Sequence, residues 1–282
     1  MTIFEAFLLG IIQGLTEFLP ISSTGHLTVA GKLFGLISPD QPERWTAFIA
    51  VIQMGTLFAI IIYFWNDLWQ ILIDFFKENI IHPKKFANQN SNSKLGWLII
   101  LGSIPVAVIG LGFKDIIEGS LTKNLYVIAG SLILLALVLA LAEKVGKFTK
   151  DIKDLGWKDA LIIGIGQSFA LIPGSSRSGT TITAGMFVGL KRDTAAKFSF
   201  LLSVPAIFGS GLLEFFESLK YIDGNGMLNL IVATIAAAVS GYLTIAFLLN
   251  YLKKNSTHIF IYYRIALGIA IITLITTNII NP

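Results

Sequence analysis

Six apolar stretches recur along the chain, near 46–65, 95–113, 123–142, 197–216, 228–249 and 261–280. Each approaches the ~20 consecutive residues that an α-helix needs to cross the hydrocarbon core of a bilayer. Two longer apolar stretches, 3–36 and 158–190, are different. Each is interrupted midway by proline and a cluster of serine and glycine, FLPISSTGH at 18–26 and IPGSSRSG at 172–179. In lipid every backbone N–H and C=O must find a partner, so irregular backbone is tolerated only where protein or a cavity covers it. Each interrupted stretch therefore reads as a re-entrant hairpin of two half-helices that enter and leave on one side. The expected fold is an all-α membrane protein with six transmembrane helices and two re-entrant helical hairpins.

Composition agrees. The chain is 54% hydrophobic and 13% charged, against ~25% charged residues in a soluble domain. There is no cysteine, which excludes disulfides, thiolate metal sites and a cysteine nucleophile. The net charge of +4 is small and spread between apolar segments, so nucleic acid is not an expected partner.

The two interrupted stretches resemble each other. GIIQGLTEFLPISSTGHLTVAGKLFGL at 10–36 aligns with GIGQSFALIPGSSRSGTTITAGMFVGL at 164–190. Gln13 falls on Gln167, Pro20 on Pro173 and Ser22-Ser23 on Ser175-Ser176. After one inserted residue, Ala30-Gly31 falls on Ala184-Gly185. The chain thus reads as one transmembrane domain, 1–282, made of two repeats. Residues 1–150 carry the hairpin 3–36, and residues 151–282 carry the hairpin 158–190. Each repeat adds three spanning helices. Three is odd, so the repeats insert with opposite topology, an inverted-repeat plan in which broken helices meet near the bilayer midplane.

Lysine and arginine counts give an orientation, because basic loops favour the cytoplasmic side. Loops 66–94, 143–158, 191–197 and 250–260 are rich in lysine and arginine, including Lys77, Lys84, Lys85, Lys150, Lys191, Arg192 and Lys197. The opposite side holds few, among them Arg44, Lys114, Lys123 and Lys220. The basic side is expected to be cytoplasmic, with both termini and the mouth of the first hairpin outside. The polar stretch Phe76–Ser93 reads as a solvated, mobile connection, and His82 and His258 read as exposed.

Chemistry concentrates at the two interruptions. An arginine at membrane depth is expensive and faces a partner or a wet cavity. Arg177 follows Pro-Gly in a new half-helix expected to start near Ser175, whose N-terminal N–H groups and the guanidinium converge as an anion site suited to phosphate. Ser176, Ser178 and Thr181 add hydroxyls beside it, although local backbone capping accounts for such hydroxyls equally well. Gln13 and Glu17 share one helix face, and Glu17 needs a cation, a donor or a metal ion at its depth. Ser23 and His26 are three apart, so a hydroxyl and an imidazole can share a face as an activated nucleophile. Gln167 repeats the Gln13 position. The expected catalytic set is Glu17, Ser23, His26 and Arg177, with Gln13, Gln167, Ser176, Ser178 and Thr181 binding substrate and Glu17 offered to a divalent metal.

GLTEFLPISSTGH at 14–26 and PGSSRSGTT at 173–181 resemble the two signature regions of the undecaprenyl-diphosphate phosphatase family, the integral-membrane type linked to bacitracin resistance. The resemblance runs over essentially the whole chain in length, repeat and segment order. It implies a bacterial plasma-membrane enzyme that hydrolyses undecaprenyl diphosphate to the monophosphate, with bacitracin competing for the substrate. A divalent cation, Mg2+ or Ca2+, is the expected cofactor, and a homodimer is left open. The family's acidic motif falls on Gln13 and Glu17. Gln13 stands where relatives carry Glu or Gln, so Glu17 holds the ionisable role alone. The rival reading is a lipid-carrier flippase or secondary transporter, because inverted repeats with broken helices also build transporters.

Overall fold

The computed structural model describes residues 1–37, 42–113, 124–218 and 224–280. Lys114, Lys123 and Lys220, used above for orientation, lie outside them. The described residues form helices α1 (Ile3–Phe18), α2 (Ser23–Leu33), α3 (Pro42–Tyr63), α4 (Trp65–Phe76), α5 (Ser91–Gly112), α6 (Leu125–Val145), α7 (Trp157–Ser168), α8 (Arg177–Phe187), α9 (Arg192–Ser218), α10 (Gly224–Leu252) and α11 (His258–Thr276). Among them there is no strand, only an isolated parallel bridge between Lys150 and Leu190.

The helix ends follow local chemistry. Thr2 and Glu5 form a capping box that opens α1, satisfying N–H groups that have no intrahelical partner. Leu19 is extended, as a residue before proline tends to be, and α1 stops one residue earlier. Asp159 accepts the Gly156 N–H at 3.0 Å and pairs with Lys150, so it serves the start of α7 as a helix-terminal charge.

Five described helices are long and apolar enough to span a bilayer: Arg44–Tyr63, Ser91–Gly112, Leu125–Val145, Gly226–Leu252 and His258–Thr276. The sixth expected segment, 197–216, falls in α9, which is long but less apolar and carries Pro205 inside it. Large apolar side chains such as Phe4, Leu111 and Tyr262 are exposed, as a surface solvated by lipid requires. Trp65, Trp69, Trp97 and Trp157 are exposed near helix ends, where tryptophan favours the interface.

Helix pairing determines where the breaks lie. α1 runs along α10, and α7 runs along α5. Both contacts depend on glycine. A Cβ on Gly10 would come within 2.2 Å of the Ala233 carbonyl oxygen, and one on Gly164 within 2.2 Å of the Gly102 carbonyl oxygen. α3 packs against α9 and α10, and α6 against α11. The largest apolar core joins residues of both halves, including Phe18, Ile60, Ile163, Ile182, Phe198 and Leu248.

The stretch after α3 departs from the expected loop. Residues 65–76 form α4, and a π-helical turn, Lys77–Ile81, extends it. Phe76–Ser93 is largely exposed, as a solvated connection should be, and one side of it is a hydrogen-bonded knot. Asn79 bonds Ser93, Gln89 and Trp97, while Glu78 accepts from Lys84 at 2.7 Å and from the Asn90 N–H at 2.8 Å. Asn79 and Gln89 bond each other, Asn90 accepts the Ser93 N–H, and Asn92 donates to Asp74.

Candidate active site

At the first break α1 ends at Phe18, residues 19–22 turn, and α2 starts at Ser23. Ser22 caps α2 with a positive φ of 76°, its hydroxyl accepting the Gly25 N–H. At the second break Ser176 caps α8 with φ 68°, its hydroxyl accepting the Gly179 N–H at 3.1 Å. A non-glycine residue in this region is strained and persists only where its surroundings hold it. Two serines in the same unusual conformation, each capping three residues on, identify the structural equivalence. Ser22 corresponds to Ser176, a spacing of 154 that also relates Gln13 to Gln167, Ala30 to Ala184 and the positive-φ pair Gly35 and Gly189. The inserted residue of the sequence alignment is therefore unnecessary. Ser23 occupies the place of Arg177.

Those two equivalent residues meet on one carboxylate. Glu17 is buried, and the Arg177 guanidinium forms an ion pair with its Oε1. Ser23 Oγ donates to Oε2 at 2.7 Å, and Gln13 Nε2 donates to the same oxygen at 3.1 Å. Gln53, from α3, approaches Oε1 at 3.5 Å. Two helix N-termini, with their positive dipole ends, begin at this carboxylate. Arg177 remains partly exposed while Glu17 does not, so the guanidinium is the member of the pair open to a ligand.

His26 stands one turn further along α2, and Ser23 bonds Glu17 instead of it. The His26 Nδ1 lies 2.6 Å from the Ser22 carbonyl and Nε2 lies 2.6 Å from the Tyr263 hydroxyl. A carbonyl only accepts, so Nδ1 carries the proton and Nε2 of the neutral ring accepts from Tyr263. The hydroxyls of the second break are held largely by backbone. Ser178 donates to the Glu17 and Leu19 carbonyls, tying α8 to the end of α1. Ser176 and Ser178 are 3.2 Å apart. Thr181 donates to the Arg177 carbonyl and bonds Ser199 at 2.5 Å.

Several polar atoms at the breaks are buried without a partner: both amide atoms of Gln167, Oε1 of Gln13 and Oγ of Ser175. Buried polar groups are normally paired with protein or ordered water, so these atoms have capacity left for a water or a polar ligand. Gln167 is fully buried and bonds nothing across the pair of breaks. Among the described residues no group of three or more histidine or acidic side chains could enclose a metal. Among the described residues Glu17 is the single carboxylate at the two breaks. That donor set fits an ion such as Mg2+, which binds through one or two carboxylates plus substrate phosphates, better than a protein-built Ca2+ cage.

A further arginine links the two breaks. Arg264, in α11, is 1% exposed and donates to the carbonyls of Pro20 in one break and Gly174 and Ser175 in the other, at 3.3, 3.4 and 3.0 Å. It also donates to Leu132 of α6. A single guanidinium thereby takes up carbonyls freed by both interruptions. Its sequence signal was plain, an arginine inside the apolar segment 261–280, and the rule that singled out Arg177 applies equally. Gln53 and Tyr263 had no comparable signal.

With this geometry in place, comparison with known proteins is informative. Residues 6–270 match the family described as bacitracin resistance protein BacA. A protein named undecaprenyl-diphosphatase from Syntrophobacter fumaroxidans is 56% identical over 275 residues, covering 98% of both chains. Proteins of the same name from Chlorobium phaeovibrioides and Pelodictyon phaeoclathratiforme are each 48% identical over the full length of both chains.

Proposed function

The chain belongs to the family of the bacitracin resistance protein BacA, and from that membership and the geometry of the two breaks we propose that it hydrolyses undecaprenyl diphosphate to undecaprenyl phosphate and inorganic phosphate. It is a phosphatase of the membrane, acting on a phosphoric anhydride. The observation that carries the site assignment is Glu17, bonded at once by Arg177 and Ser23, one from each break.

In the proposed architecture α1–α2 and α7–α8 are re-entrant hairpins, and α9 joins the five apolar helices as a sixth span. The two halves are inverted repeats. Support comes from the reciprocal pairing of α1 with α10 and α7 with α5, and from the equivalent glycine contacts of Gly10 and Gly164. The basic loops face the cytoplasm of a bacterial plasma membrane, and the cleft between the breaks opens outward.

In the proposed mechanism Arg177 and the N-termini of α2 and α8 bind the diphosphate and neutralise the charge that grows on the leaving phosphate. Gln13, Gln167, Ser176, Ser178 and Thr181 line the same region. Glu17 takes the proton of Ser23 Oγ as that oxygen bonds the terminal phosphorus, or of a water that Ser23 orients. The P–O bond to the bridging oxygen breaks and undecaprenyl phosphate leaves. On the path where Ser23 has attacked, a water then displaces Ser23 Oγ from the phosphorus, Oγ regains its proton, and inorganic phosphate is released. His26, braced by Tyr263, is the second proton-handling group. A divalent cation, held by Glu17 with the diphosphate oxygens, would add positive charge at the reacting phosphate.

Phosphate release from a polyprenyl diphosphate by purified protein in detergent, with no gradient, tests this reading. Release that vanishes in Arg177→Ala and Glu17→Gln is the expected result. Movement of the intact lipid between leaflets without bond cleavage would replace it with the flippase reading.

A further inference from the structure

Away from the breaks, α4 and its π-helical extension present a second built feature. α4 begins where the span Arg44–Tyr63 ends, and its C-terminal half lies beside the start of α5, where Asn92 donates to Asp74 at 2.8 Å and Phe75 packs on Trp97. It is therefore at the edge of the bilayer. Trp65 and Trp69 stack at 6.0 Å and are both exposed, with Leu72, Phe76 and Ile81 continuing the stripe. A groove of about 480 Å³ runs along it, walled by Trp69, Leu72, Phe76 and Ile81, a size within the ~300–1,000 Å³ of ligand clefts. Its wall is apolar until the C-terminal end, where Lys77 and His82 stand together, the His82 N–H bonding the Lys77 carbonyl at 2.7 Å.

The charge there is felt by neighbouring Glu78 but is not bonded to it. The Lys77 ammonium has no hydrogen-bond or ion-pair partner among the described residues. Neighbouring Glu78 is already taken by Lys84 and the Asn90 N–H, which hold its carboxyl below the usual carboxylate range. An apolar groove ending in one free ammonium and one imidazole matches an amphiphile with a single negative charge. A diphosphate, with more charge, finds its donors at the breaks instead.

We propose that this groove holds one acyl chain of an anionic phospholipid of the surrounding bilayer, with its phosphodiester on Lys77 and His82. Basic residues at a membrane surface favour anionic lipid by about fivefold each, the equivalent of ~1 kcal/mol.

Native mass spectrometry of the full chain, purified in detergent and equilibrated with equal amounts of phosphatidylglycerol and phosphatidylcholine, reads this directly. The expected result is a retained phosphatidylglycerol favoured about fivefold over phosphatidylcholine. Lys77→Gln should abolish that preference while phosphate release stays unchanged, and Leu72→Trp should reduce retention of both lipids by filling the groove. Equal retention of the two lipids, a preference that survives Lys77→Gln, retention of polyprenyl phosphate in place of phospholipid, or a dimer lost on Leu72→Trp would each overturn the proposal.

Discussion

The two helix breaks share a backbone and divide the chemistry. Ser22 and Ser176 hold nearly the same positive φ, cap the same way, and precede half-helices of 11 residues each. Position by position the side chains then diverge. Glu17 faces Leu171, Ser23 faces Arg177 and His26 faces Thr180 at the spacing of 154. The first break supplies carboxylate, hydroxyl and imidazole. The second supplies the guanidinium, while Ser178, Thr180 and Thr181 donate to backbone carbonyls. Neither break holds a charge-balanced site alone. The ion pair between Glu17 and Arg177 exists only because the two meet. The two breaks thus share one backbone geometry and carry complementary side chains.

Removing either charge should have the largest effect. Arg177→Ala is expected to lower phosphate turnover by about 10²–10³-fold, the usual loss when a donor to developing charge is deleted. Exchanging the charges, Glu17→Arg with Arg177→Glu, sharpens the comparison. The ion pair survives and so should thermal stability, while turnover stays lost because the guanidinium now stands on the wrong break. Recovered turnover in the exchanged protein would mean the breaks are interchangeable.

Ser23→Ala comes next, at about 10²–10⁴-fold if Glu17 withdraws its proton in the reaction. Ser176→Ala, on the other break, should leave turnover within a few-fold. Arg264→Met tests what joins the breaks. It leaves the carbonyls of Pro20, Gly174 and Ser175 unpaired and lets the two sides drift, and misplacement of about 1 Å costs roughly 10²-fold in rate. Arg264→Lys should recover part of that rate, since an ammonium can still donate to the carbonyls.

Much of this was legible in the residues because bilayers impose simple rules. Uninterrupted apolar runs became helices, and each proline-serine-glycine cluster became a break. That Glu17 and Arg177 each need a partner followed from the cost of isolated charge in lipid. The register within the break did not. Ser22-Ser23 and Ser175-Ser176 match by identity, and only the shared backbone conformation reveals that Ser23 and Arg177 are equivalent. α4 was hidden because its charges placed it among loops, although Trp65, Trp69, Leu72 and Phe76 recur on one helical face. Arg264 was visible but unread. Its function depends on carbonyls at Pro20 and Gly174 that lie far away in sequence.

The smallest effects should be equal. Ser22→Ala and Ser176→Ala each remove a cap, worth about 1 kcal/mol of stability, whereas Ser22→Gly and Ser176→Gly should be nearly neutral because glycine accepts positive φ. Thermal unfolding in detergent checks whether the two breaks lose stability in parallel. A large difference between them would show that the shared geometry is not shared support.

The most direct measurement is a double-mutant cycle of kcat/KM for phosphate release from a polyprenyl diphosphate, using Glu17→Ala, Arg177→Ala and the double variant. Residues that act as one unit are grossly non-additive. If a carboxylate from one break and a guanidinium from the other form a single catalytic site, the double variant should be no slower than the worse single one. Losses that simply multiply would contradict the account, because two independent contributions would not require the breaks to meet.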